Sequence, residues 1–389
     1  MSYVCGIIDI GSGEFSFERL FGMSRAMTLR GARAGAYVNK GVGICHGSNA
    51  ASLREPYTIV RGGRAYTAVL DGEIYNRRAL AELIGIRKFE CDAEAALECY
   101  IAFGYECAAL LEGVFSLAVY DETLSEVYLA RDSLGARPLY YLRDGGRVSF
   151  ASEIKGLFRY MRGGIEAERA ALCELILSPT ADIGGGELYR EVNELPAGHF
   201  AVCSALGMQI RRYKGGDACK IFGRWICEGE AIVPSERAIG EGEVLPLMSE
   251  LLAAFDYPRF DEYAPSYLST IAKSSGGSVL IKDGTIRSSP AYAFERADRL
   301  GTMRGVSVRI VPADDLRDMK RKTLLGDEKK LAAAAESLFS SELSFIRNEL
   351  GSDTLERISA ERDTKARVRA FGRLIQSELW LRRYPVLLV

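Results

Sequence analysis

"VFSLAVYDETLSEVYLARD", residues 114–132, decides the architecture of the first half of this chain. β-Branched and aromatic residues flank the polar "DETLS", so the stretch reads as two strands around a turn. A second hairpin follows in "PLYYLRDGGRVSFAS" (138–152), where "DGG" supplies the positive φ that a tight turn needs. Upstream, "AYTAVLDGEIYN" (65–76) is a strand running into a glycine turn, and "VCGIIDI" (4–10) is a buried strand ended by "GSG". Two helical stretches interrupt these strands. "FSFERLFGMSRAMTLRG" (15–31) places Phe17, Leu20, Phe21, Ser24 and Met27 on one face. "CDAEAALECYIAFG" (91–104) is bracketed by Asp92 as N-cap and Gly104 as C-cap. Strands between helical layers predict an α+β sandwich.

The character changes after residue 214, where "YKGGDACK" (213–220) reads as a junction. From "DEKKLAAAAESLFSSELSFIRNELG" (327–351) onward the pattern is mostly helical. The segment "ARVRAFGRLIQSELWLRRY" (366–384) predicts an amphipathic helix with Val368, Phe371, Ile375 and Leu379 on one side. Leu374 and Leu381 border that stripe, and docking onto the domain's own core is favoured over a membrane surface because Trp380 and "VLLV" continue the apolar content.

Composition bounds the function. A chain of 389 residues predicts two domains or one large one, and 48% apolar with 26% charged residues is ordinary for a globular protein. Fifty basic residues against 52 acidic ones leave no cationic field for nucleic acid or anionic lipid. No apolar run approaches the roughly 18 residues that span a bilayer, and no export signal is visible. Nine cysteines without metal-type spacing then predict reduced thiols and a cytoplasmic protein. The eight-residue step Cys91, Cys99, Cys107 reads as core packing along helix, and two histidines argue against a metal site.

Several segments, in order, resemble the asparagine synthetase (glutamine-hydrolysing) family and its class II, N-terminal-nucleophile glutaminase domain. They are "CGI" (5–7), "LDGEIYN" (70–76), "CDAEAALECY" (91–100), "LARDSLGARPLYY" (129–141) with "FASEIKGL" (150–157), and "VNELPAGHFAV" (192–202) with "IRRY" (210–213). The resemblance implies an αββα sandwich over 1–213 and a smaller, mostly helical α/β remnant of the synthetase domain over 214–389. It also implies glutamine, or a related amino acid, as ligand, and a homodimer or partner subunit as assembly.

By the same resemblance, Cys5 is the nucleophile, its α-amine the base, and Asp71 and Gly72 the oxyanion turn. Chemistry then raises objections. An amide nitrogen has no available lone pair, so Cys5 needs "MSYV" removed; methionine removal alone would expose Ser2. Asp71 replaces an asparagine donor, and losing one such donor costs on the order of 3–4 kcal/mol in the transition state. Glu73 and Asp92 match the residues for glutamine's ammonium group. Ser48 stands where the carboxylate-binding arginine is expected, with Arg54 too far along the loop, and "LRGARAG" (29–35) lacks the expected proline and aspartate.

ATP and Mg are expected of the family's second half, but the pyrophosphate loop is missing. Its sole candidate, "SSGGSVL" (274–280), lacks the following aspartate and serine, and "KDGTIRSS" (282–289) keeps only Asp283 and Gly284 of the acidic motif. Lys282 beside Asp283 reads as a solvent-facing turn. Two functions stay open: a degenerate, non-catalytic family member, favoured by the correlated losses, or an active glutaminase that uses Cys5 after propeptide removal.

Overall fold

The computed structural model describes residues 2–13, 15–49, 54–158, 160, 165–178, 185–213, 240–258, 260, 278–283, 307–312, 322–341, 344–384 and 386–389. They fall into two compact units, one containing Met1–Arg162 and the strands after Glu191, the other containing Gly163–Arg190 and the C-terminal helices. The sequence expectation placed 163–190 in the first domain; here that segment packs with the second unit.

The first unit is a four-layer α/β/β/α sandwich. One sheet contains β1 (Ser2–Ile8), β2 (Arg33–Asn39), β3 (Val42–Ser48), β8 (Tyr140–Asp144), β9 (Arg147–Ala151) and β11 (Asn193–Glu194). Its order is β11-β8-β9-β1-β3-β2, all antiparallel. The other contains β4 (Tyr57–Arg61), β5 (Arg64–Ile74), β6 (Gly113–Asp121), β7 (Glu126–Arg131), β12 (His199–Ser204) and β13 (Gly207–Arg212). Its order is β13-β12-β7-β6-β5-β4. The hairpins expected at 114–132 and 138–152 are therefore β6–β7 and β8–β9.

Alternation sorts the side chains between layers. Val4, Ile8, Val42, Ile44, Val148 and Phe150 meet Val69, Ala118, Tyr120, Val127 and Leu129 in the core between the sheets. On the far side of the second sheet, Leu70, Phe115, Leu117 and Tyr128 pack under α2 (Arg77–Ile84) and α3 (Asp92–Phe103). The first sheet is covered by α1 (Phe17–Ala26) and α4 (Ile154–Phe158).

Three local expectations are corrected. α1 buries Leu20, Met23, Ser24 and Met27, whereas Phe17 and Phe21 are 68% and 63% exposed. The i, i+3, i+4, i+7 set starting at Leu20 faces the sheet, and the two phenylalanines lie one turn apart off that stripe. The N-cap of α3 is Cys91, whose sulfur accepts from Glu94 N at 3.4 Å; Asp92 is the first helical residue. Residues 71–73 make no turn: β5 runs through Gly72 and stays paired with β6 as far as Ile74 opposite Gly113. The cysteine expectation is met at Cys99 and Cys107, both buried, while Cys91 is half-buried.

In the second unit α5 (Arg169–Leu177), α6 (Val244–Phe255), α7 (Lys322–Phe339), α8 (Phe345–Leu350) and α9 (Thr354–Ser359) surround α10 (Thr364–Arg383). β10 (Ile165–Ala167) pairs in parallel with β16 (Val386–Leu388), and β14 (Ser278–Asp283) with β15 (Ser307–Pro312). α10 docks onto its own core as expected, yet it is no half-exposed amphipathic helix: residues 371–378 are buried on every side. Its polar residues are used as caps for neighbouring elements. Arg373 donates to Leu175 O (2.8 Å) and Ser178 O (2.9 Å) at the end of α5. Glu378 accepts from Phe345 N (3.2 Å) and Ile346 N (2.9 Å) at the start of α8, where a carboxylate suits the helix dipole. Trp380 Nε1 donates to Tyr189 Oη at 2.8 Å.

Candidate active site

Period-two alternation along β1 decides which side chains enter the sandwich. Ser2 and Val4 share the parity of Ile8 and face inward; Tyr3, Cys5 and Ile7 face the helical layer. The Tyr3 hydroxyl meets Ser24 of α1 at 2.7 Å, which fixes that side as the outer one. Cys5 therefore sits in mid-strand, paired with Cys45 on one flank and Ala151 on the other, and is fully buried. Burial, followed by the neighbouring Cys45, pushes its thiol well above the ordinary value. A thiol so placed is protonated at neutral pH and closed to substrate.

Asp71 lies two residues beyond Val69 on β5 and so points between the sheets, where it is fully buried. Both of its oxygens act as acceptors. Oδ1 takes the Ser2 hydroxyl at 2.8 Å and lies 3.9 Å from the Arg137 guanidinium. Oδ2 takes Arg30 Nη2 at 3.2 Å and the Ser152 hydroxyl at 2.9 Å. Fully buried Arg30 also donates through Nε to Ser2 O at 2.8 Å and lies 3.6 Å from Glu153, which is paired with Lys155. Ser152 in turn accepts from Val4 N at 2.9 Å. This network of alternating charges offsets part of the cost of burying its members.

Gly72 is retained for a steric reason visible here. Its φ is +134°, and a Cβ built on it would stand 2.0 Å from Val114 O. Glu73 has the same parity as Asp71 and is exposed at the end of the sheet. Asp92 accepts from Ile74 N at 3.1 Å and lies 3.3 Å from Arg77 Nε; burial lifts its carboxyl, while Arg77 draws it down. Glu73 also acts on it as a like charge, so the two carboxylates are neighbours. Arg54 is tied to Glu90 at 3.0 Å, and Ser48 is the strand partner of Ser2.

Two more titratable groups share this end of the sandwich. Glu55 accepts from Leu70 N at 2.7 Å and approaches His46 Nε2 at 3.8 Å. Burial raises the Glu55 carboxyl to about 8 and lowers His46 to about 4, so both are uncharged between those values and their contact is no ion pair. Folded Glu55 holds its proton up to about 8, whereas an unfolded carboxyl releases it near 4.5, so this group's stabilisation falls as pH rises towards 8. His46 has the opposite sign, but its effect is complete by about 6.5. Glu55→Gln is therefore expected to gain about 1–2 kcal/mol relative to the parent between pH 6.5 and 8. Urea unfolding at both pH values checks this; an equal stability difference at both contradicts the buried acid.

The structure thus gathers Ser2, Arg30, Asp71, Arg137 and Ser152, and places Gly72, Glu73 and Asp92 alongside. Cys5 is left on the opposite face. Ser2, Arg30 and Ser152 escaped sequence reasoning, although counting parity back from Ile8 would have put Ser2 on the inner face. Of the phosphate-loop candidate, residues 274–277 lie outside the described residues, as do Gly284 and the rest of "KDGTIRSS" after Asp283; no step through ATP or Mg is assigned. Among the described residues no helix is long and apolar enough to cross a membrane.

The glutamine amidotransferase domain family matches residues 1–214. Asparagine synthetase [glutamine-hydrolyzing] 3 of Bacillus subtilis (strain 168) is 32% identical over 165 residues, covering 41% of this chain and 27% of that protein. Asparagine synthetase [glutamine-hydrolyzing] 2 of the same organism is 28% identical over 214 residues, covering 51% and 28%. The matched stretch thus spans under a third of either relative. Among solved structures, a glutamine phosphoribosylpyrophosphate amidotransferase from B. subtilis aligns over 79% of this chain and 65% of its own, at 14% identity and a TM-score of 0.43.

Proposed function

Because the chain belongs to the glutamine amidotransferase domain family, by a match over 1–214, we propose that it is an asparagine-synthetase-type member in which Cys5 does not hydrolyse glutamine. The observation that carries this is the outward parity of Cys5, three residues inside β1 and on the face opposite the inter-sheet layer in which Asp71 is buried. Ionising that thiol would require a base beside it. The backbone nitrogen of Cys5 is an amide within the strand and cannot serve.

Asp71 supports the same reading. With both oxygens accepting from Ser2, Arg30 and Ser152, it is not a donor for the oxyanion that a glutamine-derived tetrahedral intermediate carries. Asp92, engaged with Ile74 N and Arg77, and exposed Glu73 remain a carboxylate pair suited to an ammonium group. Glutamine or a related amino acid is thus the ligand in this reading, and ammonia delivery to a partner or to an ATP-activated carboxylate is not part of it.

Ammonia release from glutamine by the parent and by Cys5→Ala tests the claim. The two are expected to be indistinguishable. Release that disappears with Cys5→Ala alone, in a variant with the parent's unfolding midpoint, would overturn it.

A further inference from the structure

Ile7 and Asp9, at the far end of β1 from Ser2, border a cavity of about 340 Å³ between the first sheet and the start of α1. That volume lies within the range of small-molecule sites, roughly 300–1,000 Å³. Phe15, Ser16 and Arg19 line it from the α1 side of the chain, with Arg147 of β9 and Tyr160. The Phe15 ring is held against bare backbone: a Cβ on Gly43 would stand 2.1 Å from it.

The charges of the lining do not cancel. Arg147 Nε donates to Asp9 Oδ2 at 2.5 Å, and Asp9 Oδ1 accepts from Ser12 N at 3.2 Å, so that pair is internally neutral. Arg19 has no ion pair among the described residues; its guanidinium lies over the Tyr160 ring, 5.4 Å from the centroid. One net positive charge is left. Tyr160 is 4% exposed, and its buried hydroxyl has no hydrogen-bond partner among the described residues. Burial, followed by the Asp144 charge, raises its pKa, so it is a donor at neutral pH. Ser16 accepts from Arg19 N at 3.3 Å as the cap of α1, which leaves its own proton to donate at a helix end that favours anions. Glu18, the acidic residue of that first turn, is exposed and outside the lining.

We propose that this cavity binds an organic monocarboxylate, with Arg19, Tyr160 and Ser16 receiving the carboxylate and Ile7 and Phe15 its apolar body. The site is separate from the preceding reading, because it borders the first sheet on the α1 side whereas Asp71 and Glu73 are carried by the second. An ionised carboxylate only accepts hydrogen bonds, which matches a guanidinium and two hydroxyl donors. A polyphosphate would bring several negative charges against one uncompensated cation and Asp9. A buried hydroxyl without an acceptor is costly to the fold, and a bound carboxylate supplies what Tyr160 lacks.

Phenylacetate is the probe, titrated calorimetrically into the full chain, with phenylacetamide as its neutral isostere and inorganic phosphate as an anion without an apolar body. Saturable one-to-one binding is expected, roughly tenfold or more tighter than either control. Arg19→Leu should weaken it by a similar factor. Tyr160→Phe should weaken it several-fold while the urea midpoint stays level or rises, because the deleted hydroxyl has no partner in the fold. A structural role for that hydroxyl predicts the reverse, a lower midpoint with unchanged affinity. Absence of saturable binding, equal affinity for the amide or for phosphate, or parent affinity in Arg19→Leu overturns the proposal. None of these outcomes touches the reading of Cys5, which ammonia release alone decides.

Discussion

Asp71→Ala is expected to lower the unfolding free energy of the first unit by about 3–5 kcal/mol, the usual cost of stripping one partner from a buried ion pair. Arg30 is fully buried and bonded to Asp71 at 3.2 Å, and another anionic neighbour, Glu153, is at 3.6 Å and shared with Lys155. The Ser2 and Ser152 hydroxyls lose their acceptor in the same change. Asp71→Asn, which keeps the shape and one acceptor, should cost less. A paired Arg30→Met, Asp71→Leu variant should recover much of the loss, since removing both charges removes the penalty of burying either. Equilibrium urea unfolding reads all three, and an unchanged midpoint for Asp71→Ala would show that the network does not hold the site.

Gly72→Ala is the second large effect, with an expected loss of about 4 kcal/mol, from left-handed backbone strain and overpacking of comparable size. The new methyl would meet Val114 O at 2.0 Å, and that carbonyl belongs to β6, paired with β5 on both sides of the contact, so neither partner can step back. Gly62→Ala is the control. It too has a positive φ, +59°, but nothing lies within 4 Å of its Cβ position, so only the backbone term of roughly 1–2 kcal/mol applies. Comparable losses at the two positions would contradict a steric origin. The implication for function is that Gly72 is required by packing whether or not its N–H faces a substrate.

Much of the site's surroundings was legible in the sequence because it depends on local chemistry. Apolar and aromatic runs around the polar DETLS and around the DGG turn marked the hairpins at 114–132 and 138–152, and the run AYTAVL marked the strand that carries Asp71, although DGE was expected to leave it as a turn. Asp92 was found beside Glu73 although its expected role as a helix cap passed to Cys91. The face on which Cys5 lies was not legible for a specific reason. "CGI" at 5–7 matches a family string, but matching a string does not fix which face of a strand it occupies.

By itself, then, the amino-acid order determined two strand-rich layers between helices, a helical C-terminal half, and membership of an amidotransferase family through residues 1–214. Only the tertiary structure decided that Ser2, and not Cys5, meets Asp71. That outcome depends on the register of β1 against β3 and β9, strands about 40 and 150 residues away, and on which face α1 covers. The same holds for α10, where the sequence showed an apolar stripe but not that Arg373 and Glu378 are buried caps for α5 and α8. In both cases a side chain's role is set by the partner that long-range pairing brings to it, and on β1 a one-residue change of parity exchanges the layer between the sheets for the helical layer.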